Sequence, residues 1–143
     1  MSDAFVLDPR LEGDSVPLAE LTLCTLRLMK DARFPWVLMV PRKADLAEII
    51  DLEAPQRGVL MEEIATVSKA LQAVTGCDKL NVGALGNVVR QLHVHVVARF
   101  EGDAAWDKPV WGSGDAVPYA AGAREKLAEA LLVELRAAGV ASA

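Results

Sequence analysis

Gln91-Leu92-His93-Val94-His95-Val96-Val97 holds both histidines of the 143-residue chain. In an extended strand successive side chains point to opposite faces, so Gln91, His93 and His95 share one face while Leu92, Val94 and Val96 take the other. Imidazole changes charge near neutral pH, and two of them side by side can act as nucleophile, proton shuttle or metal ligands. Two strand histidines without a chemical role are the plainer alternative. A catalytic zinc site needs a third protein ligand. The chain has no third His, no acidic residue lies close by on that strand face, and Cys24 and Cys77 stand apart without CxxC spacing. Nucleophilic chemistry fits better than metal binding. A neutral imidazole can attack phosphorus through one ring nitrogen while the other donates to an acceptor that fixes its tautomer. The second imidazole can bond a phosphate oxygen or manage a proton, and no metal or redox cofactor is required.

The elements that must position this pair are legible in outline. Cys24–Met29 suits an extended segment, although its leucines also tolerate helix; residues 31–35 carry turn signals and Trp36–Val40 is an apolar strand ended by Pro41, so a hairpin over 24–40 is the natural reading. A short helical turn is expected around 45–51. Leu60, Ile64, Val67, Leu71 and Val74 recur at helical spacing, which predicts an amphipathic helix over roughly 55–75 with Pro55 in its first turn and Gly76 as its stop. Lys79–Ala84 reads as a strand and residues 83–87 as a glycine-bearing loop, with the histidine strand running on to about Phe100. Residues 101–118 lack periodicity. Leu127, Leu131 and Leu135 mark a last helix over roughly 118–138. Strands mixed with a few helices, without regular βαβ alternation, indicate an α+β fold.

Length favours a single domain over 1–143, and an apolar content of 52% argues for a packed globule. No apolar run reaches the ~18–20 residues that span a bilayer, so no membrane partner is expected. The start lacks the basic region and long apolar core of a signal peptide. Isolated cysteines in apolar settings then suggest reduced, structural thiols in a cytoplasmic protein. A net charge of −5 disfavours nucleic-acid binding. It leaves room for a small anion held by local cations, for which Arg42-Lys43, Arg90 and Arg99 are candidates.

The motif Gln91-Leu-His93-Val-His95-Val-Val97 resembles that of the histidine triad (HIT) family, His-φ-His-φ-His-φ-φ with φ apolar, in a bacterial-type variant with Gln in place of the first His. Other segments extend the resemblance in order: Trp36 to Lys43 with its Pro-basic ending, the 55–75 helix, Asn81-Val-Gly83, Gly86-Asn87, and the Trp106 to Gly112 stretch. The resemblance implies an α+β fold with an antiparallel sheet, usually as a homodimer. It also implies a purine nucleotide or dinucleotide substrate, hydrolysed or transferred at an α-phosphorus through a nucleotidyl-histidine. Dinucleoside polyphosphates and nucleoside phosphoramidates are the implied classes. By position, His93 would be the nucleophile and His95 would bind phosphate oxygen or assist a proton. Gln91 would orient the nucleophile through its main-chain carbonyl. Asn87 would meet phosphate, with Asn81, Arg99 and Trp36 as further substrate-side candidates.

The chain departs from the pattern at several of these places. Trp36 stands where many members carry an additional His, and an indole has one N–H donor and no basic nitrogen, so it is expected to stack or pack beside the site. Val88 replaces a Ser or Thr that often supports the leaving group, and Leu85 lies near the place of a second Asn in a shortened 81–91 loop. Trp106 and Trp111 are candidates for the nucleotide side, the partner subunit or surface packing. These replacements support an alternative, a non-catalytic nucleotide-binding or protein-interaction module on the same fold.

Overall fold

The computed structural model describes residues 4–142. In chain order it contains α1 (Pro9–Gly13), β1 (Ser15–Glu20), β2 (Cys24–Met29), β3 (Trp36–Pro41), a 3-10 turn at Ile49–Asp51, α2 (Ala54–Thr75), β4 (Lys79–Gly83), β5 (Val94–Arg99), α3 (Ala123–Ala137) and β6 (Ala141–Ser142). The strands form one antiparallel sheet in the order β4-β5-β3-β2-β1-β6. This is the α+β architecture expected from the element pattern.

Both helices α2 and α3 lie on one face of the sheet, and the opposite face carries the histidines. Alternation decides which residues go where. Leu26, Leu28, Val37, Met39, Val94, Val96 and Ala98 point into the core against Leu60, Val67, Leu71, Leu131 and Leu135 of the helices. Trp36, Leu38, Val40 and Val97 point the other way and are covered by loops and α1 instead. β3 and β5 are therefore buried along their whole length, which is why their sequences read as near-continuous apolar runs rather than alternating ones.

α2 begins one residue before the expected start and ends on Gly76, whose φ of 63° is the left-handed conformation that closes a helix. Its inner face includes Glu63, a buried carboxylate that accepts the main-chain N–H groups of Leu23 and Cys24 at 2.8 and 2.9 Å. Glu63 thus clamps the start of β2 to the helix. Burial, with the Glu63 carboxylate alongside, pushes the Cys24 thiol well above its ordinary range, leaving it an unreactive core group. Glu63→Ala would strand two buried donors and is expected to lower unfolding free energy by about 2–4 kcal/mol in urea titration. Glu63→Gln, which keeps an acceptor, should cost clearly less.

Three segments differ from the sequence expectation. The last helix starts at Ala123, not near 118, because Val117 is held outside it: its carbonyl accepts from Ala32 N–H at 2.7 Å, its N–H donates to Asp31, and Gly122 then turns through a left-handed φ of 81°. The histidine strand starts at Val94, since Leu92 N–H bonds the Leu46 carbonyl at 2.9 Å and draws the preceding residues off the sheet. β1, with Pro17 inside it and a register shift between Pro17 and Ala19, had no clean alternation to announce it.

Candidate active site

His95 projects from β5 and His93 from the residue just before that strand, with ring centroids 4.9 Å apart on the face opposite α2 and α3. Each ring has one nitrogen committed by a neighbour. His93 Nδ1 lies 2.6 Å from the Gln91 main-chain carbonyl oxygen. A carbonyl can only accept, so the neutral form of His93 carries its proton on Nδ1 and leaves Nε2 with a lone pair. His95 Nδ1 accepts the indole N–H of Trp36 at 2.9 Å, which puts the neutral ring's proton on Nε2. The two imidazoles are opposite tautomers, one bearing a free lone pair and the other a free N–H. Burial, with His93 nearby, holds His95 down at about 3, so that ring stays neutral through the physiological range.

The register of the sheet makes the Trp36 contact. Leu38 pairs with His95 and Trp36 with Val97, so Trp36 and His95 are diagonal neighbours on one face, within reach of an aromatic side chain. Trp111, from the irregular segment after β5, closes the other side of His95 with centroids 5.3 Å apart and the planes at 70°. It also stands edge-on to Trp36 at 6.4 Å. Its indole nitrogen is the one buried side-chain polar atom without a hydrogen-bond partner among the described residues. Gly83 on β4 makes room for it: a Cβ there would stand 2.9 Å from the Trp111 ring.

His93, His95 and Trp111 line a cleft of about 480 Å³ together with Asn87, Val88, Asp14 and the apolar Leu11, Met29 and Leu38. A second cleft of about 390 Å³ shares Asp14, Met29 and Trp111 with the first and is walled by Trp36, Val110, Asp31 and Arg33. The pair of hollows is apolar at its base with charges at the rim, the composition of a small-molecule site. Among the described residues no three His, Cys, Asp or Glu side chains gather as a metal site would require.

Of the residues singled out from sequence, His93, His95 and Asn87 come together in the cleft, and Trp36 touches His95 from behind it. Gln91 contributes its carbonyl, while its side chain faces away: Oε1 accepts from Asp8 N–H at 2.9 Å and Nε2 donates to the Val6 carbonyl at 2.8 Å, tying the N-terminal segment down. Arg99 and Asn81 stand apart from the histidine cleft. Arg99 is buried and bonds both carboxylate oxygens of Asp103, at 2.7 and 3.0 Å, and Asn81 Oδ1 at 2.8 Å. Parity put Arg99 on the histidine face, but a carboxylate four residues away in sequence claims it first. Trp106 lies beside that pair, its ring 5.6 Å from the guanidinium, away from the histidines. Asp14, Leu11 and Met29 were missed, and nothing in their local sequence marks them as cleft residues.

Comparison with known proteins agrees with this arrangement. The HIT domain family model matches residues 10–102. Among solved structures, a histidine triad protein from Bradyrhizobium japonicum is 46% identical, with a TM-score of 0.90 over 92% of this chain and 98% of that one. One from Sinorhizobium meliloti 1021 is 45% identical, with a TM-score of 0.89 over 91% and 96%. A third, from Marinobacter aquaeolei VT8, is 40% identical, with a TM-score of 0.90 over 94% and 98%. No curated protein matches the chain. With a family match over most of its length and three solved relatives that share its fold over more than nine-tenths of the chain, the chain belongs to the histidine triad family.

Proposed function

We propose that the protein hydrolyses or transfers nucleotides at an α-phosphorus, with His93 as the nucleophile. What carries this reading is the opposite tautomers of the two imidazoles. His93 Nε2 has the lone pair needed to attack phosphorus, and Gln91 O is placed to stabilise the Nδ1–H as the ring gains positive charge. His95 offers a neutral N–H to a phosphate oxygen at the same mouth, and Asn87 adds an amide donor at its edge. A preorganised donor of this kind is worth 10²–10³ in rate when charge develops on the oxygen it meets. In the first step His93 Nε2 bonds to the α-phosphorus and the leaving group departs; in the second, water replaces His93 and frees the nucleoside monophosphate. Dinucleoside polyphosphates and nucleoside phosphoramidates are the candidate substrates, with purine nucleotides first among them.

The protein is proposed to act as a homodimer. β4 ends the sheet with Val82 about half exposed, an edge to which a second copy could add. A cytoplasmic setting fits its free cysteines, Cys24 and Cys77. No described helix is long and apolar enough to cross a membrane. A module that binds nucleotide without turning it over would have no use for a lone pair and an N–H presented side by side. The test is to quench the protein with acid-free denaturant during turnover and map the adduct by mass spectrometry. A nucleoside monophosphate on His93 is the expected result. Nucleotide release with no adduct on His93 at any time would reject the covalent route, and tight binding without release would favour the module.

A further inference from the structure

Trp36 does more to His95 than fill space beside it. The indole N–H can donate and has nothing to accept with, and its bond to His95 Nδ1 joins two buried side chains. Protonating His95 would place a second N–H against the first and break that bond without replacement. The other groups facing His95 supply no alternative. From the segment before β5 comes His93, whose Nδ1 proton is engaged by Gln91 O. From the segment after β5 comes the Trp111 indole, and across the sheet from β4 comes Gly83, without a side chain. Asp14 is the other ionisable side chain that lines this cleft; in the adjoining cleft Lys30 donates to the Gly13 carbonyl at 3.0 Å and Arg33 pairs with Asp31 at 2.9 Å. Among the described residues the histidine cleft thus presents an N–H that polarises, and no Lys or Arg lines it.

We propose that Trp36 is a positioning residue that fixes His95 as a neutral Nε2–H donor, and that the site consequently cleaves phosphoanhydrides in preference to phosphoramidates. The inference rests on the reading of His93 as nucleophile. In the first step the His93 Nε2–phosphorus bond forms and the bridging P–O bond breaks, with its electron pair staying on the departing oxygen. A phosphate leaves as a stable anion, so no proton is needed. An amine leaving group cannot depart as its anion; the P–N nitrogen must first be protonated, and among the described residues no Lys or Arg lines the histidine cleft to do so. In the second step water oxygen bonds to phosphorus, the P–N bond to His93 breaks with its electrons returning to Nε2, and the surplus water proton passes to solvent.

Two measurements test this. Nitrogen-15 resonance of the labelled imidazoles reads the tautomer without any substrate. For the unmodified protein His95 is expected to show an unprotonated Nδ1 and a protonated Nε2, constant from about pH 8 to pH 5, well above the value its burial imposes. In Trp36→Phe, which keeps a ring in place but removes the donor, the tautomers should mix and the ring should begin to titrate. A protonated Nδ1 in the unmodified protein, or a Trp36→Phe spectrum identical to it, overturns the positioning role. Turnover then reads the consequence. A dinucleoside tetraphosphate should be preferred over a nucleoside 5′-phosphoramidate of an alkylamine by about 10²-fold or more in kcat/KM, the range a missing general acid sets. Trp36→His, which restores a group able to load a proton, should narrow that ratio at least about tenfold. Equal rates, or a preference for the phosphoramidate, overturn the leaving-group assignment. If neither substrate reacts and no adduct forms on His93, the proposed function and the leaving-group preference fall together, while the resonance result still decides whether Trp36 fixes His95.

Discussion

His93→Ala is expected to lower nucleotide release by about 10⁴-fold or more, with KM changed far less than kcat, because it removes the attacking atom and not a ground-state contact. At 1.36 kcal/mol per decade this is a loss of at least about 5 kcal/mol of transition-state stabilisation. What remains is the catalysis available from the cleft alone: the His95 N–H, the Asn87 amide and the closeness of bound water. His95→Ala removes one of those donors and should cost less, about 10²–10³-fold. The order of the two effects follows from the tautomers, since only His93 presents a lone pair to the cleft. Stability should separate cleanly from activity in these variants. His93 gives up a single bond to the Gln91 carbonyl, worth about 1 kcal/mol, so a folded His93→Ala protein is expected for the assay. Comparable release by His93→Ala and the unmodified protein would remove the nucleophile assignment altogether.

Residues whose role depends on periodicity were legible in the sequence, and residues whose role depends on a distant partner were not. The 3-and-4 spacing of Leu60, Ile64, Val67, Leu71 and Val74 places α2 almost to the residue, because a buried stripe leaves few other arrangements. The hairpin of β2 and β3 follows in the same way from two apolar runs around a Pro-containing turn. Parity on the histidine strand correctly puts His93 and His95 on one face and Arg99 with them, yet parity says nothing about what each side chain meets. Arg99 meets Asp103, and Trp36 meets His95 only because the register sets those two strands one step apart. Trp111 is a further case. It reaches His95 through an irregular segment of more than ten residues, made possible by the bare backbone at Gly83. Glycine at 83 and tryptophan at 111 carry no periodic signal that would pair them. Pro118 and Tyr119 sit in a stretch whose composition suits a helix, and it is the tether of Val117 to the turn after β2 that holds the chain extended there.

Asp103→Ala is expected to destabilise the protein by about 3–5 kcal/mol, the usual cost of leaving a buried charge without its partner. Arg99 is 2% exposed. With Asp103 removed it would keep one hydrogen bond, to Asn81, and its stacking between Phe34 and Trp106. The same carboxylate accepts the main-chain N–H groups of Phe100 and Ala105, so the turn leaving β5 loosens at the same time. That turn starts the segment that brings Val110 and Trp111 over the histidine face, which gives a structural pair a say in the site. Asp103→Ala combined with Arg99→Met should recover a good part of the loss, since an apolar replacement of both partners leaves no orphaned charge. Acid should reproduce the single variant's effect. The Arg99 guanidinium holds the Asp103 carboxyl well below its ordinary value of 3.8. The folded state therefore binds the proton less readily than the unfolded chain, and this contribution is complete above about pH 4 and drains away as pH falls below it. His95 acts over a higher window: buried neutral, with a folded value of about 3 against an ordinary 6.5, it leaves the unfolded chain to take up the proton first, so stability declines from about pH 6.5 downward. Urea unfolding across this range should show both limbs in the unmodified protein, and the lower one should shrink in the Arg99→Met, Asp103→Ala double variant while the upper one stays. An unchanged lower limb would mean that other carboxylates, Asp31 beside Arg33 foremost, and not this pair, govern the response to acid.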